Sequence, residues 1–331
     1  MSYKTRKPLY KILEDIRGSK LIVYITGDRR GWETQIHEEV LDLLITHLDI
    51  INKHQKISLY LYSRGGNTLA AWGIVNLIRQ FCKEFEVIVP SKARSAATLI
   101  CLGSNNIVMT KQATLGPIDP SVSTPLNPQI PNPQAPGTTM PYPVNVEAIK
   151  GFIELAKEEL KIKNSNELAA LLTSLMEKVN PLVLGEVFRA RAQIQMLARK
   201  LLKNHISDEN KRKKIIEFLC SESGSHDYTI NRKEAKEELH LPVEIPDDNL
   251  YKIIKEIYDD IFNDLQLNKA FDPITLLGSN ISADYSITRA LVESLDGGSD
   301  YFISDGRITK FQNPQGIAIN DQRIFEGWKH E

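Results

Sequence analysis

The chain has few cysteines, no long apolar run and almost no net charge, and each shortage closes off a class of function. Cys82, Cys101 and Cys220 are the only cysteines in 331 residues. Three scattered thiols build neither a disulfide framework nor a paired metal site, and they fit a reducing compartment. No cofactor and no metal are expected. No segment approaches the roughly twenty apolar residues of a membrane span, so no membrane anchor and a cytoplasmic location are expected. The 41 basic side chains balance 42 acidic ones, which leaves no global field to attract nucleic acid or an anionic membrane. The pair Gly65-Gly66 is not followed by the Gly-Lys-Ser/Thr of a phosphate loop, so nothing here encodes an ATPase.

What the chain does have is concentrated between Leu59 and Ala97. Ile57 to Tyr62 is β-branched and aromatic and stops at Ser63-Arg64-Gly65-Gly66, which reads as a strand and a turn. Asn67 to Cys82 carries Leu69, Trp72, Ile74, Leu77, Ile78 and Phe81 at helical spacing. Phe85 to Val89 is a second strand, and Ser95 then opens another helix among Ala93, Ala96 and Ala97. A serine attacks a carbonyl when a base takes its proton and donors hold the oxygen that becomes negative. Glycines at a strand end let backbone N–H groups approach a substrate, and a helix start supplies free N–H groups. Ser95 is therefore a candidate nucleophile, with the Gly66 and Ala96 amides as a candidate oxyanion hole and Gly65 and Gly66 lining the substrate backbone. The plainer alternative is a Gly-Gly turn as punctuation and Ser95 as an ordinary N-cap.

Along the rest of the chain, Pro8 to Ile16 reads as a short helix, Leu21 to Thr26 as a strand and Ile36 to Ile51 as a helix. His37, His47 and His54 lie in or beside that helix and read as surface or packing residues. Nine of sixteen prolines fall between Pro117 and Pro143; that density argues for an extended loop without regular helix or sheet, either a flap over the site or an inter-subunit arm. Residues 145–220 read as a helical insertion, Leu250 to Leu265 as a last helix, and Asp300 to Gln312 as a hairpin turning at Ser304-Asp305-Gly306. Alternating strands and helices in the first 110 residues argue for α/β with a partly parallel sheet.

The central stretch resembles the Clp-type fold of serine peptidases, shared by Clp protease subunits and signal peptide peptidase A. In Clp subunits a Gly-Gly after a strand lies thirty residues before the serine, and Gly65 to Ser95 is also thirty. The serine dehydrogenase proteinase branch is similar in Ile25-Thr26-Gly27-Asp28-Arg29-Arg30-Gly31, in Leu115-Gly116-Pro117-Ile118-Asp119-Pro120 and in Ser225-His226-Asp227-Tyr228. The resemblance implies a Clp/crotonase-like spiral of ββα units. Its core would be residues 1–120 and 221–245, with a Pro-rich loop at 121–144, the insertion at 145–220 and a C-terminal helix plus hairpin at 246–331. It also implies a homo-oligomer that acts on peptide or protein substrates.

The base is left open. Clp subunits place a histidine near the position of Ile118-Asp119, and none stands here. By resemblance Asp227 falls where Clp subunits keep the triad aspartate, and His226 beside it is one candidate base. Consecutive strand residues face opposite ways, so one of that pair is structural. Lys150, fifty-five residues after Ser95, is the other, by analogy with the Ser–Lys dyad of signal peptide peptidase A; Glu154 four residues on offers it a surface ion pair instead. Asp119 reads as an orienting group, since an ordinary aspartate is a poor base. The expected activity is serine endopeptidase chemistry. Two further classes stay in view: a non-catalytic Clp-fold scaffold or regulatory subunit, and a crotonase-like acyl-CoA enzyme.

Overall fold

A computed structural model describes residues 3–118, 121–132, 137–222, 227–313 and 316–331. The chain opens with α1 (Tyr3–Arg17) and β1 (Lys20–Thr26), then α2 (Val40–Ile51), β2 (His54–Tyr62), α3 (Thr68–Phe81), β3 (Cys82–Val89), β4 (Lys92–Ala93), α4 (Ala96–Leu102), β5 (Asn106–Met109) and β6 (Thr114–Leu115). Next come β7 (Ser121–Val122), β8 (Gln129–Pro131), β9 (Thr139–Pro141), β10 (Val144–Asn145), α5 (Val146–Glu154), α6 (Ser165–Lys178), α7 (Pro181–Leu202) and α8 (Glu209–Glu217). The chain ends with β11 (Ile230–Asn231), α9 (Arg232–Glu237), β12 (Val243–Glu244), α10 (Asp248–Asp264), α11 (Pro273–Leu277), β13 (Ser282–Ser294), β14 (Gly298–Asn313) and β15 (Gly316–His330). Two compact units result: residues 1–116 with 229–331, and residues 117–228.

The first unit is mixed α/β, built on an eight-stranded sheet in the order β12-β5-β3-β2-β1-β13-β14-β15. β1, β2, β3, β5 and β12 run parallel, and β13 to β15 continue antiparallel. From β1 to β2, β2 to β3 and β3 to β5 the chain moves each time to the neighbouring strand, whereas the return from β5 to β12 spans residues 110–242. Strand alternation sends Leu21, Val23, Ile25, Tyr60, Tyr62, Ile88 and Val108 into one cluster, which Tyr10 and Leu13 of α1 and Ile254, Ile257 and Ile261 of α10 cover. Arg17, in the last turn of α1, reaches Glu86 on β3 and Glu244 on β12, and the Asn106 amide donates to both carboxylates. Burial pushes Glu86 toward neutrality, but Arg17 and Asn106 outweigh it and hold the carboxyl below its ordinary range.

Three sequence expectations change. Ile36 does not start a helix: its N–H donates to the Gly65 carbonyl (2.9 Å) and its carbonyl accepts from Asn67 (2.8 Å), a sheet-like bridge to Gly66. The helix begins only at Val40. Residues 304–306 are not a turn, because β14 runs unbroken through them. Gly306 instead leaves room for the Tyr285 ring, whose hydroxyl would lie 2.3 Å from a β-carbon there. At the amino end, α1 extends back past Pro8 to Tyr3, whose ring is buried with Tyr10 and Leu13.

In the second unit the proline-rich segment does carry sheet structure. β8 pairs with β9 and β7 with β10, both antiparallel. Two-stranded ladders leave one side of each strand unpaired, so a proline's missing N–H can face outward. Val144, Val146, Val183 and Val187 form this unit's small core. Asn164, Asn180 and Asp208 cap α6, α7 and α8 through side-chain oxygens that accept backbone N–H bonds. No single helix among the described residues is long and apolar enough to cross a membrane.

Candidate active site

β2 and β3 are parallel neighbours, and the segments that leave their carboxyl ends meet. Ser63 bridges Ala93: its N–H donates to the Lys92 carbonyl (3.1 Å) and its carbonyl accepts from Arg94 (3.0 Å). That bridge brings the Gly-Gly turn against the serine turn. A β-carbon on Gly65 would lie 2.8 Å from Ser95 Cβ, 2.9 Å from the Arg94 carbonyl and 3.2 Å from Ala96 N, so only glycine fits. Gly65 and Gly66 hold φ of +114° and +145°, and a Gly66 β-carbon would strike the Ile36 backbone at 2.4 Å.

Ser95 itself sits at φ 52°, ψ −118°, a conformation that a residue with a β-carbon seldom adopts. It stands at the N-cap position of α4, yet its side chain caps nothing. Among the described residues Ser95 Oγ makes no hydrogen bond, and the residue is half-buried where every residue of α4 is fully buried. The ordinary N-cap alternative is thereby removed. A strained serine turn between strand and helix, with its hydroxyl uncommitted, has the geometry of a nucleophile elbow.

The two amides singled out from sequence are also uncommitted. The bridge to Ile36 uses the Gly65 carbonyl and the Asn67 N–H, which turns the Gly66 N–H the other way. Among the described residues neither Gly66 N–H nor Ala96 N–H has an acceptor; the first α4-region bonds start from Ala97 and Leu99. Ala96 is buried at the first position of α4, where a helix leaves its N–H free, and Gly66 is half-buried, so both amides are open to an acceptor outside the chain's own bonds.

Residues that sequence reading missed hold this turn. Ser63 Oγ accepts the Gly65 N–H (2.9 Å) and the Thr26 hydroxyl proton (2.7 Å), and both hydroxyl residues are buried. Thr98 Oγ1 lies 2.9 and 2.8 Å from the Ala93 and Gly116 carbonyls and accepts the Gly116 N–H at 3.2 Å, which pins α4 to β4 and the end of β6. The available signal was Ser63 itself, a polar residue at the inward end of a strand whose other inward positions are apolar.

The proposed base residues belong to the second unit. His226 and Asp119 lie outside the described residues. Asp227 is exposed, and Lys150, half-buried on α5, has its Nζ 3.4 Å from Glu154. Within the first unit, the described residues place no histidine, lysine or carboxylate in hydrogen-bond contact with Ser95 Oγ.

A different serine, histidine and aspartate do meet in the first unit. His47 Nδ1 lies 2.7 Å from Ser294 Oγ and Nε2 lies 2.9 Å from Asp300 Oδ2. Ser294 Oγ also accepts the Gly297 N–H, and a β-carbon on Gly297 would stand 2.4 Å from the imidazole. The His47 side chain is 0% exposed, so no substrate reaches it. This trio joins α2 to β13 and β14 and is a packing device, the role the sequence reading gave this histidine.

Comparison with known proteins gives a family match over the stretch that carries this turn. Residues 36–133 match the family described as ClpP-like SDH-type serine proteinase. Two uncharacterized proteins of Methanocaldococcus jannaschii are similar to this chain. One is 29% identical over 185 residues, covering 56% of this chain and 52% of the relative. The other is 27% identical over 181 residues, covering 55% and 50%. The chain thus spans about half the length of the curated relatives it matches. Among solved structures, a mutant 1510-N membrane-bound stomatin-specific protease in complex with a substrate peptide aligns at 17% identity over 70% of this chain and 78% of that one, with a TM-score of 0.39. A mutant ClpP1 from Listeria monocytogenes aligns at 12% identity over 72% and 99%, with a TM-score of 0.38.

Proposed function

We propose that this protein is a serine endopeptidase that cleaves peptide bonds through an acyl-enzyme on Ser95. The observation that carries the reading is the Ser95 turn itself: a strained backbone, an uncommitted hydroxyl and two unpaired amides, Gly66 and Ala96, in one place. Ser95 Oγ attacks the scissile carbonyl carbon while its proton passes to the base. The carbonyl oxygen gains the charge and takes hydrogen bonds from the two amides. The carbon–nitrogen bond then breaks, the amine leaves with the proton, and water hydrolyses the ester by the reverse path. Because α4 has only seven residues, its dipole is short and the two N–H groups carry most of the stabilisation.

The candidate bases are His226 first and Lys150 second, with Asp227 and Asp119 as orienting groups. The pH dependence of acylation separates the two: an ordinary histidine gives an inflection near pH ~6.5, whereas a lysine must be shifted far down from about 10.4 to act. The protein works as a homo-oligomer in the cytoplasm on peptide or unfolded protein, with no cofactor.

Hydrolysis of fluorogenic peptides tests the reading. Ser95→Ala should abolish turnover. Gly65→Ala, which drives a β-carbon into Ser95, should lower kcat by about a hundredfold or more, the scale of losing an oxyanion donor. Turnover that survives Ser95→Ala would remove Ser95 from the mechanism, and a wild type that hydrolyses no peptide would support the scaffold or acyl-CoA alternatives.

A further inference from the structure

We infer that the Ser95 site selects peptides bearing a carboxylate beside the scissile bond, and that Arg94 is the residue that reads it. The inference rests on Ser95 being the nucleophile. Arg94 immediately precedes Ser95, and its backbone is fixed on both sides: its N–H donates to the Ser63 carbonyl (3.0 Å) and its carbonyl accepts from Ala97 (3.0 Å). The stem of the side chain is seated too, since a β-carbon on Gly116 would lie 3.2 Å from both Arg94 Cβ and Cγ. The glycine makes room for it.

The guanidinium, by contrast, is unmatched. Arg94 is half-buried, its Nε is buried without an acceptor, and among the described residues its side chain has no hydrogen bond or ion pair. Several other buried or half-buried arginines do have partners, and half-buried Arg79 bonds the Gly103 carbonyl. Arg6 takes Asp260 at 2.7 Å, Asp264 at 2.8 Å and Glu293 at 2.6 Å. Arg17 takes Glu86 and Glu244, and Arg289 takes Glu326. Asp28 is already held by Lys92, two residues before Arg94 (2.7 Å), and by the Tyr62 hydroxyl (2.6 Å). The buried Nε has no acceptor, and a carboxylate is the planar two-oxygen partner that a guanidinium fits. A second arginine, exposed Arg64, adjoins Gly65 on the other strand end and likewise lacks a partner among the described residues. Two unmatched positive charges thus flank the turn where a substrate would lie.

The test uses fluorogenic peptides matched in pairs, with Glu or Gln at each position flanking the cut. In the wild type, kcat/KM should favour Glu about tenfold or more at one of these positions. Arg94→Gln should bring that ratio close to one, Arg94→Lys should keep part of it, and Arg94→Glu should shift preference to a Lys peptide. The ratio is internal to each enzyme, so a lower folded fraction cancels. A wild-type ratio near one at every position, or a ratio that Arg94→Gln leaves intact, overturns the assignment. Ser95 labelling by an uncharged fluorophosphonate is measured alongside. An adduct with a flat ratio removes only the arginine's role, whereas no adduct removes the nucleophile and this inference with it.

Discussion

At Ser95 a residue with a β-carbon is held where glycine would be comfortable, φ 52°, at a cost of about 1–3 kcal/mol. Nothing in the packing of α4 asks for a serine, since its hydroxyl caps no amide. Strain kept at one residue with a free hydroxyl is accounted for by chemistry. It also gives a stability test. Ser95→Gly should relieve the strain, and denaturant unfolding should find it more stable than Ser95→Ala by about 1 kcal/mol. Equal stabilities would mean the turn is not strained. Ser63 belongs to this scale too: its hydroxyl accepts the Gly65 N–H, and only its polarity at an inward strand position marks it in the sequence.

At the scale of elements, much of the centre was legible. The Gly-Gly turn, α3 and the serine at the start of α4 appear where periodicity and punctuation place them, because local glycine and apolar spacing decide them. The proline-rich strands β8 and β9 pair locally, against the expectation drawn from their prolines. Ile36 and the turn expected at Ser304-Asp305-Gly306 were settled by partners distant in sequence, Gly66 and Tyr285. The His47 trio likewise needs residues some 250 positions apart. The Arg17 clamp is another long-range device, and it ties α1 to β3 and β12. Arg17→Met should lower stability by about 1–3 kcal/mol, because buried Glu86 loses its two-pronged partner and keeps only Lys56 (3.0 Å) as a cation. Pairing it with Glu86→Gln should recover a good part of that loss. A double variant no better than the single one would argue against the ion pair as the cause.

For the whole molecule, acid stability follows from carboxylates held below their ordinary values. Burial opposes ionisation of Glu86, but Arg17 and Asn106 more than offset it. In Glu244 the Arg17 bond is the largest influence. Asp300 is buried, and the bonds to His47 and His330 outweigh that burial. A depressed carboxyl contributes stability above its unfolded value and loses it as pH falls through the folded one. The thermal midpoint should therefore be flat near pH 5 and drop below about pH 4.5, the ordinary glutamate value. Glu86→Gln should flatten that drop, and an unchanged acid limb would contradict the assignment.

The most direct measurement is the intact mass and peptide map of the protein after reaction with an uncharged fluorophosphonate. The result expected is one adduct per chain, carried on Ser95, absent in Ser95→Ala and strongly slowed in Gly65→Ala. An unmodified chain, or an adduct on another serine that persists in Ser95→Ala, would contradict Ser95 as the nucleophile.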